Sequence, residues 1–182
     1  MKPHHIDSVM ITEDRIRHRL RELAETVSAD LSPTPDRAVI LIGILRGSFV
    51  FIADLIRELH RHGVRTRVDF MILESYGAGT ESSGTVRLVQ DFSIPVTGEP
   101  VLLVDDILDS GRTLTFAREH IRARGGQPVR TCVLLDKKAR RVVPFEADYV
   151  GFPIPDDFVV GYGLDYDGCH RELPHLARVT FL

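Results

Sequence analysis

An α/β fold, with a mostly parallel central sheet flanked by helices, is what this sequence predicts, and three observations predict it. Apolar runs of strand length alternate with amphipathic helical stretches through the first two-thirds of the chain, which is the pattern of repeated strand-helix-strand units. The run at 101–104 is apolar without alternation, as suits a strand buried on both faces of a parallel sheet. Polar loops follow Ile44, Val104 and Leu135, and ligands bind such sheets beyond the carboxyl ends of the strands. A chain of 182 residues, 43% hydrophobic, suits one domain, 1–182, rather than two.

Thr12 with Glu13 and Asp14 reads as an N-cap followed by an acidic first turn, and Ile16, Leu20, Leu23, Val27 and Leu31 then recur at helical spacing. His4 and His5, ahead of it, read as a polar terminus. Two prolines within 32–36 break the helix, and 38–44 is the next strand. Leu45, Arg46, Gly47 and Ser48 make a turn. Phe49, Ile52, Ala53, Leu55, Ile56 and Leu59 form the following helical stripe, closed near Gly63. A long strand spans 64–74. The stretch 75–84, opening with Ser75 and Tyr76, is rich in Gly and Ser and nearly devoid of apolar anchors; it reads as a mobile loop and a candidate lid. A strand at 85–90 precedes the turns at Pro95, Gly98 and Pro100. After 101–104, Asp105 and Asp106 end the strand, and a helix over 113–124 stops at Gly125 and Gly126. The run 129–135 closes in the charged cluster 136–141. Short β-like segments at 147–150 and 158–160 complete the reading.

A formal net charge of −3 and the absence of a basic tract argue against nucleic acid as a partner, since phosphate-backbone binding needs clustered Lys and Arg. A small anion, which needs only local positive charge, is compatible. Residues 1–20 hold no continuous apolar run, so no signal peptide or membrane association is expected and the cytoplasm is the expected compartment. Cys132 and Cys169 have neither metal-ligand spacing nor a disulfide setting. The chemistry concentrates at 105–113. Two carboxylates ending a buried strand are costly unless a cation or donors meet them. Asp109, Ser110, Gly111, Arg112 and Thr113 offer backbone N–H groups, hydroxyls and a guanidinium at a helix N-terminus, a cradle for phosphate.

The stretch Val-Leu-Leu-Val-Asp-Asp-Ile-Leu-Asp-Ser-Gly-Arg-Thr-Leu at 101–114 resembles the diphosphosugar-binding signature of type I phosphoribosyltransferases. Leu45-Arg46-Gly47-Ser48, Ser75-Tyr76-Gly77, Leu134-Leu135-Asp136-Lys137 and Phe158-Val159-Val160-Gly161-Tyr162-Gly163-Leu164-Asp165-Tyr166 resemble its hypoxanthine-guanine branch, in the right order. The likeness runs from about Ile42 to the C-terminus. It implies a type I phosphoribosyltransferase fold with a small C-terminal hood and a mobile loop. It also implies transfer of the phosphoribosyl group of 5-phosphoribosyl diphosphate to N9 of hypoxanthine or guanine, giving IMP or GMP and diphosphate, by a homodimer or homotetramer.

By the same resemblance, Ser110, Gly111, Arg112 and Thr113 hold the 5'-phosphate, and Asp105 and Asp106 the ribose hydroxyls. Leu45, Arg46, Gly47 and Ser48, with a non-proline cis peptide, bind the diphosphate together with Arg171. Asp109 is the acid or base at N7. Phe158 and Ile107 sandwich the purine, Val159 and Leu164 offer backbone groups to its edge, and Lys137 donates to the 6-oxo group. Mg2+ is the implied cofactor, near Asp105 and Asp106 and, through water, Asp165. The commonest acidic pair in the family is Glu-Asp; here the first member is the shorter Asp105.

Taken singly, most of these residues have plainer readings. Leu45 to Ser48 is an ordinary turn with Ser48 as N-cap, Lys137 one charge in a solvated run, Phe158 a core residue, Asp165 and Arg171 surface residues, and 75–84 a disordered segment. A regulator that binds the sugar diphosphate without turnover is the alternative of a different class, and it lacks support from any basic face or appended DNA-binding segment.

Overall fold

The structure, a computed structural model, describes residues 3–31, 38–76 and 85–182. Along the chain it runs β1 (His4–Ile11), α1 (Glu13–Leu31), β2 (Val39–Leu45), α2 (Phe49–Arg61), β3 (Thr66–Tyr76), β4 (Thr85–Gln90) and β5 (Val101–Leu108). Then follow α3 (Arg112–Ala123), β6 (Val129–Asp136), a single 3-10 turn over Lys138–Arg140, β7 (Tyr149–Pro153), β8 (Val159–Val160) and β9 (Leu176–Phe181).

Six strands form the central sheet in the order β4-β3-β2-β5-β6-β7. All neighbours are parallel except the edge strand β4, which pairs antiparallel with β3. Successive side chains of a strand point to opposite faces, and both faces are covered here. Val39 and Leu41 join the core formed with α1 and α2, whereas Ile40, Ile42 and Ile44 join the one formed with Leu114, Ala117 and Ile121 of α3. That double coverage is why the central strands carry no polar alternation. Parallel order brings the carboxyl ends of β2, β5 and β6 to one side, so the three polar loops expected there do converge.

Several boundaries differ from the sequence expectation. Asp105 and Asp106 do not stop β5: pairing with β6 continues through Ile107 and Leu108, opposite Leu135 and Asp136. Backbone pairing decides a strand's end, and a carboxylate at its mouth does not break the ladder. Ser75 and Tyr76 are the last residues of β3, opposite Val86 and Thr85 of β4; the remainder of the expected mobile loop, 77–84, lies outside the described residues. Phe49 is 46% exposed while Phe51 is fully buried. Two positions apart on a helix, the two rings point to nearly opposite sides, and it is Phe51 that joins the core.

The N-terminal segment is not merely a polar terminus. β1 pairs antiparallel with β9, His4 opposite Phe181, and β9 pairs with β8, giving a three-stranded hood. β1 is mostly exposed, so it lacks the apolar pattern that signals a strand. Among the described residues no helix is long and apolar enough to cross a membrane.

Candidate active site

Burial fixes the character of the acidic pair. Asp105 is buried at the mouth of β5, its Oδ1 accepting the Asp106 N–H at 2.9 Å, while Asp106 Oδ1 accepts the Ile107 N–H at 2.8 Å. Desolvation raises both carboxyls above their ordinary range, Asp105 well above it with the adjacent Asp106 charge adding to the effect. Arg171 opposes the rise at Asp106. Buried carboxyls in this state favour a cation or hydroxyl donors in the cleft beside them.

Two glycines make room for this geometry. A Cβ on Gly47 would lie 1.5 Å from Asp106 Oδ2, so the β2 loop can approach the acidic pair only because residue 47 has no side chain. Gly111 has φ of +86°, and a Cβ there would meet the Val143 carbonyl oxygen at 2.8 Å. Only glycine takes that left-handed turn readily, and it lets the loop bend directly into α3. The peptide joining Leu45 and Arg46 is cis. Ser48 does not cap α2 through its side chain; its buried hydroxyl donates to the Ile44 carbonyl.

Two adjoining cavities open above the strand ends. The larger, about 420 Å³, is lined by Leu45, Arg46, Gly47, Asp105, Asp106, Ile107, Asp109, Ser110, Gly111 and Thr113 with Arg140. The smaller, about 250 Å³, is lined by Lys137, Phe158, Val159, Leu164 and Asp165. Asp106, Ile107, Asp109 and Arg140 line both. Asp109 therefore stands at the junction. Its Oδ1 is buried without a hydrogen-bond partner among the described residues, and burial raises its carboxyl against the pull of Lys137 and Arg140.

Lys137 is 6% exposed, so it is no member of a solvated run. Its Nζ lies 3.7 Å from Asp156 Oδ1, which also receives Arg140 Nε at 2.6 Å. Phe158, by contrast, is 41% exposed, which leaves part of its ring open to the smaller cavity. Tyr166 and Phe181 brace it edge-on, at centroid distances of 5.6 and 5.3 Å. Phe181 comes from β9, which β1 pins in place, so both chain ends support the smaller cavity.

Arg112, Arg171 and Ser48 do not line either cavity, so of the expected phosphate-binding stretch 110–113 only Ser110, Gly111 and Thr113 do. Arg171 donates to the Gly163 carbonyl at 2.6 Å and pairs with Asp165 Oδ1 at 2.7 Å; it lines a separate cleft with Glu13, Ile16 and Tyr162. Asp165 also accepts the Gly168 N–H through Oδ2 at 2.7 Å, leaving both oxygens engaged. Sequence reasoning missed Arg140, Asp156, Asp136 and Arg141. Nothing in the run 136–141 separates its buried charges from its exposed ones, because the segment is too irregular to show a periodicity.

The donor set suits a hard divalent cation in part. Asp105 and Asp106 supply buried carboxylate oxygens with little compensating positive charge nearby, and Mg2+ is usually held by one or two carboxylates plus water and substrate phosphate. Among the described residues no group of three or more potential ligands is gathered closely enough to hold an ion alone.

A parallel sheet whose acid-ended central strand turns through a left-handed glycine into a helix, beneath a small antiparallel hood, is a type I phosphoribosyltransferase fold. Residues 10–167 match the phosphoribosyl transferase domain family. The chain is 42% identical over 171 residues to a hypoxanthine-guanine phosphoribosyltransferase of Aquifex aeolicus, covering 94% of this chain and 93% of that one. It is 42% identical over 178 residues to the hypoxanthine phosphoribosyltransferase of Escherichia coli, covering 98% of each. Among solved structures, a hypoxanthine phosphoribosyl transferase of Trypanosoma cruzi superposes with a TM-score of 0.90 at 40% identity, over 96% of this chain and 92% of that one. This chain belongs to the hypoxanthine-guanine phosphoribosyltransferase family.

Proposed function

We propose that this protein is a purine salvage enzyme that transfers the phosphoribosyl group of 5-phosphoribosyl diphosphate to N9 of hypoxanthine or guanine, releasing diphosphate. The observation that carries the reading is the pair of joined cavities with Asp109 at their junction. A sugar phosphate in the larger and a planar base in the smaller would meet beside its carboxyl.

Each end of the substrate has complementary chemistry. The N–H groups and hydroxyls of Ser110, Gly111 and Thr113, at the start of α3, receive the 5'-phosphate with help from the helix dipole. Asp105 and Asp106 accept from the ribose hydroxyls. The β2 loop at Leu45, Arg46 and Gly47 receives the diphosphate. Arg171 acts from behind, holding Gly163 and Asp165 and biasing Asp106 toward its charged form. Mg2+ held by Asp105 and Asp106 would neutralise diphosphate charge as it develops. Phe158 and Ile107 stack on the base, backbone groups of Val159 and Leu164 meet its edge, and Lys137 donates to the 6-oxo oxygen. Asp109 exchanges a proton with N7 as N9 bonds to the anomeric carbon, and its raised carboxyl suits proton transfer better than a permanently ionised one. The reading extends to a cytoplasmic homodimer or homotetramer, with the oligomeric state to be checked by light scattering.

A panel of bases tests the proposal. Purified protein given 5-phosphoribosyl diphosphate and Mg2+ should release diphosphate with hypoxanthine or guanine and far less with adenine; no release with any purine overturns it. Asp109→Asn should lower turnover about 10²- to 10⁴-fold with little change in sugar-diphosphate affinity, and an unchanged rate removes its acid-base role.

A further inference from the structure

A phosphate loop must present its N–H groups to the cleft, and in a trans peptide the preceding carbonyl then points the opposite way. Each carbonyl turned into the protein needs a donor, because a buried unpaired carbonyl is expensive. Over 108–111 every one has found a partner. The Leu108 oxygen accepts Lys137 N–H at 2.9 Å and Arg141 Nη1 at 3.2 Å. The Asp109 oxygen accepts Arg141 Nη1 at 2.5 Å. Ser110 takes the N–H groups of Val142 and Val143, both at 3.0 Å, and Gly111 that of Thr115 at 3.0 Å. Three of these four carbonyls are thus held by the short segment 141–143. The carbonyl of the peptide between Asp109 and Ser110 is held by a side chain.

That side chain is itself fixed. Arg141 Nη2 pairs with Asp136, which is 2% exposed at the end of β6, next to Lys137. One planar guanidinium therefore spans a carboxylate and two loop carbonyls. We infer that Arg141 is a positioning residue for the sugar-diphosphate subsite: it turns the Leu108 and Asp109 carbonyls inward, so that the N–H groups of Asp109 and Ser110 stay aimed at the phosphate. The inference rests on the assignment of 109–113 as the phosphate cradle. Lysine cannot replace Arg141 in this role, because an ammonium is a point donor and lacks the rigid fork that bridges three acceptors.

The test compares Arg141→Lys and Arg141→Ala with Ser110→Ala/Thr113→Ala, measuring KM for both substrates, kcat and thermal unfolding. Arg141→Lys keeps a positive charge beside Asp136, so it remains informative where Arg141→Ala folds poorly. Both Arg141 variants should raise KM for 5-phosphoribosyl diphosphate about ten- to a hundredfold, the loss expected for charge-assisted hydrogen bonds, with KM for hypoxanthine changed by less than about threefold. Millimolar guanidinium should restore part of the sugar-diphosphate affinity to Arg141→Ala, and equal methylammonium should not. If Ser110→Ala/Thr113→Ala raises the sugar-diphosphate KM but Arg141→Lys leaves it unchanged, or raises both KM values alike, the role of Arg141 is overturned. If Ser110→Ala/Thr113→Ala itself has no effect, the cradle assignment falls and this inference with it.

Discussion

Gly47→Ala probes the contact on which the acidic pair depends. The added Cβ would fall 1.5 Å from Asp106 Oδ2 and 2.7 Å from its Cγ, too close for small relaxation. The atoms in the way belong to a side chain, so Asp106 can yield by rotating and the fold should survive. In moving, it gives up the 2.8 Å hydrogen bond from Ile107 N–H. Leaving that donor unpaired costs about 1–3 kcal/mol, and each kcal/mol lowers Tm by about 2–4 °C in a chain of this size. Binding should suffer more. An Asp106 swung from its rotamer loses charge-assisted bonds to the ribose, each worth about 1.5–3 kcal/mol, so KM for 5-phosphoribosyl diphosphate should rise about ten- to a hundredfold per bond lost. Steady-state kinetics and a thermal melt measure both effects, and a double-mutant cycle isolates their cause. Against Asp106→Ala, the clash has no target, so Gly47→Ala should add little further loss. Full additivity, or wild-type KM in Gly47→Ala alone, would refute the coupling.

Lys137→Ala should collapse discrimination between hypoxanthine and adenine. Hydrogen-bonding sites can reject analogues by about 10⁴–10⁵, whereas an apolar pocket manages on the order of 10²; an undiminished ratio of kcat/KM values removes Lys137 from base recognition. Phe181→Ala withdraws one brace from Phe158. A lost aromatic pair is worth about 0.5–1.5 kcal/mol, so KM for hypoxanthine should rise about two- to tenfold, and an unchanged KM would show that the ring needs no support from β9. The acidic pair also makes a pH prediction. Asp105 has its carboxyl raised on folding, so the folded state binds that proton more tightly than the unfolded chain does. This contribution to stability is complete below about pH 4, the unfolded range, and is lost as pH rises toward the folded value. Asp105→Asn removes this part of the dependence, leaving that of Asp106 and Asp109, and should make the ligand-free protein more stable at neutral pH, each tenfold difference in proton affinity being worth about 1.4 kcal/mol. Denaturant titrations from pH 4 to 8 check it, and a variant no more stable than the parent at pH 7 would contradict the assignment.

The sequence by itself determined the α/β class, the central strands, the three helices and the convergence of the loops at 45–48, 105–113 and 136–137. Those features follow from local patterns: uninterrupted apolar runs, helical spacing, and Gly-bearing loops where a strand meets a helix. The motif at 101–114 pointed to a sugar phosphate, and the segments at Lys137 and Phe158 to a purine, through their resemblance to one enzyme family; the residues alone indicated only an anion cradle beside two carboxylates. Tertiary structure alone decided which charges are buried. Lys137 and Asp136 are sealed in while Lys138 and Arg140 face solvent, a distinction that neither charge nor spacing encodes. It also decided that His4 to Ile11 forms a strand, since its partner lies at the far end of the chain. Distant pairing, desolvation and the direction of a guanidinium are properties of the assembled fold. The carbonyls behind the phosphate loop find their donor in Arg141 only once β5 and β6 lie side by side.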